Sequence, residues 1–267
     1  ANQGKLLWIK NISAIPVSTP VSDGQSVFIT TNDNKLYALD AKNGEIKWVV
    51  SAILRNTAIL GAADPVLDDE NIIASFSSGE IYSVNRKNGD VLWSQDLNIG
   101  RANSSDFYLN DIDATPIVKD SVVYSIGNGG LMMAINAKNG NYLWKKEIAG
   151  IVDFWIAGDF IYLINNDNKL MAIYRKTGGV KWVKQLPNLE KDKKPQTKII
   201  YDGVLMAGNK LLVSNVKGEI LIISPFDGNI EKTIKTGERN YHVPIIVGDK
   251  IYLHRLGSYV TNLLEIE

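Results

Sequence analysis

One phrase recurs along the whole chain and constrains the fold more than anything else in it. It reads Leu36-Tyr37-Ala38-Leu39-Asp40-Ala41-Lys42-Asn43-Gly44-Glu45-Ile46-Lys47-Trp48, then Ile81-Tyr82-Ser83-Val84-Asn85-Arg86-Lys87-Asn88-Gly89-Asp90-Val91-Leu92-Trp93. It returns from Leu131 to Trp144 around Gly140 and from Leu170 to Trp182 around Gly178. A degenerate copy from Ile220 to Thr233 keeps Gly228 but has Lys232 in place of the Trp, and the chain opens inside a further copy with Gly4 and Trp8. Every intact copy places Trp four residues after Gly, and consecutive glycines lie between 38 and 51 residues apart. A period near 45 residues marks a repeat architecture in which neighbouring units complete each other's core.

Each repeat reads as short strands. Runs such as Ser26-Val27-Phe28-Ile29-Thr30, Val122 to Ile126 and Phe160 to Ile164 are β-branched and aromatic, bounded by Gly, Asp and Asn. Upstream of each run the chain passes through Pro20-Val21, Pro65-Val66, Pro116-Ile117 or Pro244-Ile245. Asn-Gly at 43–44, 88–89 and 139–140, with Asp227-Gly228 as a variant, predicts hairpin turns, because both residues tolerate positive φ. No segment carries a sustained 3.6-residue apolar period with caps, so almost no helix is expected.

Four antiparallel strands per repeat, arranged radially, is the signature of a β-propeller blade. The expected fold is therefore all-β, with six repeats in one continuous domain over residues 1–267. Leu6 to Ile12 is expected to be a lone outer strand, and the chain ends after a third strand between Tyr259 and Ile266. The repeated Trp is expected to pack across the contact between blades. An aromatic side chain buries roughly 150–250 Å², worth about 4–6 kcal/mol as an upper bound.

Composition narrows the function. The 267 residues include 29 basic and 29 acidic side chains and no net charge, so clustered cations for a phosphate backbone are not expected. No apolar run is long enough for a transmembrane helix. Cysteine is absent, which removes disulfides, thiolate zinc sites and cysteine nucleophiles. Because the chain begins partway into a repeat, a leader or anchor is expected upstream of it.

Ala38 to Trp48 resembles the repeat of the pyrroloquinoline-quinone-like propellers. That group holds quinoprotein dehydrogenases and the non-enzymatic BamB family. The stretch Asp111-Ile112-Asp113-Ala114-Thr115-Pro116-Ile117-Val118 looks like the Asp-Val-Asp-Thr-Thr-Pro-Val-Val segment of BamB proteins. Leu143 to Ile148, Val152-Asp153-Phe154, Ile161-Tyr162-Leu163 and Met171-Ala172-Ile173 follow in the family's order.

The resemblance implies an eight-bladed ring, of which this chain would carry six repeats. It implies a scaffold without catalysis or cofactor, tethered by a lipid anchor at the periplasmic face of the outer membrane. The implied partner is the POTRA region of BamA, with unfolded outer-membrane proteins as further partners and no nucleic acid. In the family an Asp-x-Asp loop and a Leu-x-Leu-Arg-Gly loop form the docking surface. Asp111 and Asp113 match the first, and Ile59, Leu60 and Gly61 fall on the second. Leu60 occupies the family's Arg position, and Arg55 is the nearest arginine.

Read from the residues alone, Asp111 and Asp113 on an exposed loop allow loop capping, recognition of a partner's Arg or Lys, or cation binding and acid–base work. Phe107 and Tyr108 either pin that loop or anchor a partner. Lys191 to Lys194 reads as a solvated charged run. Asn32-Asp33-Asn34 and Asn165 to Asn168 look calcium-like but lack the closing Glu of a calcium hand and serve as turns. His242 and His254 read as structural, since a zinc set would need further ligands at recognisable spacing. Two other functions stay open: a quinoprotein dehydrogenase, which the absence of a vicinal cysteine pair disfavours, and a propeller binding some unrelated protein.

Overall fold

A computed structural model describes residues 4–53, 63–98, 111–189, 197–236, 244–247, 250–253 and 262–265. The chain forms two compact units, Ala1–Ile151 and Val152–Glu267.

The first unit holds three four-stranded antiparallel sheets, each a simple meander in chain order. The first comprises β1 (Val21–Ser22), β2 (Ser26–Thr31), β3 (Lys35–Asp40) and β4 (Ile46–Ser51). The second comprises β5 (Val66–Asp68), β6 (Asn71–Ser75), β7 (Glu80–Asn85) and β8 (Val91–Asp96). The third comprises β9 (Ile117–Lys119), β10 (Val122–Ile126), β11 (Met132–Asn136) and β12 (Tyr142–Lys146).

The second unit repeats the plan with β13 (Trp155–Ala157), β14 (Phe160–Ile164), β15 (Lys169–Tyr174) and β16 (Val180–Gln185), then β17 (Tyr201–Ala207), β18 (Lys210–Asn215), β19 (Glu219–Ile223) and β20 (Ile230–Lys235). A three-stranded sheet follows: β21 (Ile245–Val247), β22 (Lys250–Leu253) and β23 (Asn262–Glu265). No helix occurs among the described residues.

The two middle strands of each four-stranded sheet are largely buried, and this dictates their composition. Phe28, Leu36, Ile72, Ile81, Val123 and Ile135 are wholly inaccessible to solvent. Sheets pack face to face, so the core lies between consecutive repeats rather than within one. One cluster joins Phe28, Leu36 and Val50 of the first repeat to Ile72, Phe76 and Val84 of the second. Another joins Ile73, Ile81 and Trp93 to Val123, Met133 and Ile135. In the second unit Tyr162, Leu170 and Ala172 meet Val204, Leu211 and Val213.

The repeated Trp and Gly are the two halves of one contact. Trp48 stacks over Gly89 of the following repeat and donates from Nε1 to the Arg86 carbonyl at 3.1 Å. Trp8 does the same to Gly44 and Ala41, Trp93 to Gly140 and Ala137, and Trp182 to Gly228 and Pro225. Each of these glycines has φ between 73° and 82°, a region L side chains avoid.

The partner across the sheet is fixed as well. A bulge at the same place in these four sheets sets Ala38 opposite Trp48, Ser83 opposite Trp93, Ala134 opposite Trp144 and Ala172 opposite Trp182. A small residue leaves room for the indole. In the degenerate repeat Lys232 replaces the Trp, and its opposite residue is the large Ile222.

One expectation needs correction. Leu6 to Ile12 pairs with no strand among the described residues, although Trp8 makes the interblade contact that an outer-strand Trp makes. Its Leu6, Leu7 and Ile9 are exposed, so Trp8 and Ile12, packed against Ile29, Tyr37 and Leu39, hold this segment. The Asn-Gly pairs do turn hairpins, joining β3 to β4, β7 to β8 and β11 to β12. Only the glycine has positive φ, and the loop is four residues long: Gly44 N–H donates to Asp40 O at 2.8 Å, and Asp40 N–H to Glu45 O at 2.7 Å. The Asn43 side chain instead accepts from Glu45 N–H at 3.0 Å.

Candidate functional site

The described ends of two inter-repeat connections of the first unit meet where Ala63 bonds to Ile112. There the segment Asp111-Ile112-Asp113 lies just ahead of β9. Its central residue explains its position. Ile112 is fully buried and packs with Ala63, Leu97, Val123 and Leu131. Gly127 is the floor of this contact, because a Cβ there would lie 3.4 Å from Leu97 and 3.5 Å from Ile112.

Main-chain bonds fix the tripeptide from both sides. Asn128 N–H donates to the Asp111 carbonyl at 2.9 Å, and Ala63 N–H donates to the Ile112 carbonyl at 3.3 Å. The second bond matters most. It ties the Asp-x-Asp segment to the end of the connection that carries Ile59 and Leu60, so two stretches about fifty residues apart share one base.

The carboxylates differ from the exposed pair expected of them. Asp111 is wholly buried, and Asp113 is partly buried. Burial first, and the neighbouring Asp111 second, push the Asp113 carboxyl up to about 6. Asp113 Oδ1 has no hydrogen-bond partner among the described residues. A carboxylate so placed gains from any cation that reaches it, because a nearby positive charge offsets the desolvation.

Ile59, Leu60 and Arg55 lie outside the described residues, as do Phe107, Tyr108, Lys191 to Lys194, His242 and His254. What the structure fixes is the frame of the first group, through Ile53 before it and Ala63 after it. The turns Asn32-Asp33-Asn34 and Asn165 to Asn168 join strands β2 to β3 and β14 to β15. Asn34 and Asn168 are buried with φ of 56° and 58°, and each amide bonds to the next inter-repeat connection: Ile53 O and Ile199 O, both at 2.8 Å. Their calcium-like look comes from this turn geometry. Among the described residues no three His, Cys, Asp or Glu side chains converge as a metal set.

Sequence reasoning read Asn34 only as part of a turn and missed Glu80. Glu80 Oε2 accepts from Ile53 N–H at 2.9 Å and from Ser78 Oγ at 2.8 Å. A signal existed for Asn34: it occupies a place where other repeats have Gly79 and Gly130, both with positive φ.

The family described as outer membrane protein assembly factor BamB matches residues 1–184. The chain belongs to that family. Among curated relatives, the BamB of Yersinia pestis is 26% identical over 154 residues, which is 58% of this chain and 39% of that protein. This chain thus matches about two fifths of the length of that relative. Among solved structures, BamB from Moraxella catarrhalis superposes with a TM-score of 0.82 at 19% identity, over 94% of this chain and 73% of that one. A europium-containing methanol dehydrogenase superposes with a TM-score of 0.64 at 15% identity, over 88% of this chain and 54% of that one. The four-stranded sheets are therefore blades of a β-propeller, as in that BamB structure.

Proposed function

We propose that this chain is a non-enzymatic scaffold of the outer-membrane β-barrel assembly machinery, docking on the periplasmic POTRA region of BamA. Docking uses the connections that carry Ile59, Leu60 and Arg55 and the segment Asp111 to Asp113. The observation that carries this reading is the hydrogen bond from Ala63 N–H to Ile112 O, which gives the two connections a common base. Relatives named as outer membrane protein assembly factors support the cellular role. It follows that the working location is the periplasmic face of the outer membrane.

Asp113 is the contact for a partner's Arg or Lys. A half-buried carboxylate pays its desolvation before the partner arrives, so pairing adds more than it would on an open surface. Asp111 acts from beneath, since its charge keeps the local potential negative. Ile59 and Leu60 supply apolar contact, the kind of residue that fills an interface core, and Arg55 gives the rim a charge.

The test is a titration of the purified chain against the purified POTRA region. Asp113→Lys should weaken binding at least about tenfold, as removal of a buried charge contact does. Equal affinity for the parent and the Asp113→Lys variant would remove this surface from the account.

A further inference from the structure

Two large isoleucines on the same side of the first unit are left exposed although their backbones are firmly held. Ile15 is 64% exposed and Ile53 is 58% exposed. Both are fastened to one turn, Asn32-Asp33-Asn34. Asn32 Oδ1 accepts from Ile15 N–H at 3.1 Å, and Asn32 N–H donates to Ile15 O at 3.0 Å. Two residues on, Asn34 Nδ2 donates to Ile53 O at 2.8 Å, and Asn34 O accepts from Ala52 N–H at 2.9 Å. The Glu80 carboxylate takes the remaining Ile53 N–H.

The cost of this arrangement argues against accident. Asn34 sits in the left-handed region, where Gly79 and Gly130 serve the equivalent turns of the neighbouring sheets. A β-carbon there is disfavoured, yet the buried amide is kept and bonded on both ends. Its Oδ1 accepts from Ser77 N–H at 3.1 Å and from Ser77 Oγ at 2.6 Å. The buried Asn fixes the Ile53 backbone as Asn168 fixes that of the buried Ile199 in the second unit, but here the isoleucine side chain is left in water. An apolar group on a backbone that cannot move loses little further freedom on binding, so it contributes more to affinity than one on a loose loop.

We propose that Ile15 and Ile53, pre-set by the Asn32–Asn34 turn and Glu80, are an apolar arm of the partner-docking surface, extending it by one repeat. The occupant is the same POTRA region, and the inference rests on the function proposed above. Continuity points to that occupant. Ile53 leads directly into the connection holding Arg55, Ile59 and Leu60, and that connection ends at Ala63, bonded to Ile112 between the two aspartates. Asn34 and Glu80 are positioning residues in this scheme. They face the fold, and Ile15 and Ile53 face the partner.

The experiment titrates the purified full chain with the purified POTRA region, using Ile15→Glu, Ile53→Glu, Asn34→Gly, Asp113→Lys and, as a control, Ile46→Glu on the exposed edge of β4. Ile15→Glu and Ile53→Glu should each weaken binding about tenfold with unchanged thermal midpoints. Asn34→Gly keeps the left-handed turn, should weaken binding by a few-fold, and should speed amide exchange at Ile53 in the free protein. Ile46→Glu should bind as the parent does. Parental affinity in both isoleucine variants, with Asp113→Lys still impaired, overturns the arm and leaves the docking function standing. A parent chain that fails to bind the POTRA region overturns the function itself, and the arm with it.

Discussion

The indole of Trp93 lies on Gly140 of the next repeat so closely that a β-carbon there would come within 2.6 Å of the Trp93 Cβ and Cγ, while Nε1 donates to Ala137 O at 2.7 Å. Gly140 also has φ of 75°. Replacing it by Ala therefore imposes two penalties, a backbone one of roughly 1–2 kcal/mol and an overpacking one of roughly 1–3 kcal/mol. Gly24 separates them, since its φ is 86° and nothing lies within 4 Å of its absent Cβ. In urea denaturation Gly140→Ala should lose on the order of 2–4 kcal/mol, and Gly24→Ala about 1 kcal/mol. Equal losses would show that the stacked indole contributes nothing.

Trp93 can be probed from its own side. Trp93→Phe keeps much of the apolar area but leaves the Ala137 carbonyl without its donor, an expected loss of about 1–3 kcal/mol. Trp93→Ala should lose about 3–5 kcal/mol. Denaturation midpoints in that order would confirm that area and hydrogen bond both count.

The repeat made the fold legible because its punctuation has local causes. Pro before the inner strand, alternating buried runs and the Gly-to-Trp spacing all mark blade boundaries, and the strands begin where those marks stand. The hairpin at Asn43-Gly44 was legible but its loop length was not, because Asn-Gly is shared by two-residue and longer turns and the cross-strand bulge at Ala38 decides between them. Leu6 to Ile12 looks like a strand by composition, yet pairing is a tertiary property. At the site, the spacing of Asp111 and Asp113 was visible, but their burial was not. It follows from Ile112 being drawn into the core by Leu97 and Val123, which the fold and not the Asp-x-Asp spacing brings to it.

Asp113 should give stability and binding opposite pH dependences. Its folded carboxyl is pushed up to about 6 by burial and then by Asp111, against about 3.9 in an unfolded chain. The folded state therefore holds the proton more tightly, and stability contributed by this group falls as pH rises from about 4 to about 6. Asp113→Asn should flatten that slope and stabilise the protein at pH 7.5 by on the order of 1 kcal/mol, reduced from the full shift because the side chain is partly exposed. Affinity for a cationic partner should instead fall as pH drops below 6. Thermal midpoints and titrations at several pH values test both signs.

Asn168 in the second unit offers a ranking. Its amide bonds to Ile199 O at 2.8 Å from a backbone with φ of 58°. Asn168→Gly gives up the bond but relaxes the backbone, an expected loss near 1 kcal/mol. Asn168→Ala gives up the bond and keeps the strain, so about 2–3 kcal/mol should be lost. A reversed order in chemical denaturation would show that the amide bond is idle.

The docking side of the molecule is the claim most open to a single decisive measurement: amide hydrogen exchange across the chain, with and without the purified POTRA region of BamA. The account expects new protection within residues 50–63 and around Asp111 to Thr115, and no change at the opposite turns Lys42 to Gly44 and Lys87 to Gly89. Protection at those opposite turns, or none anywhere at a saturating concentration, would contradict it.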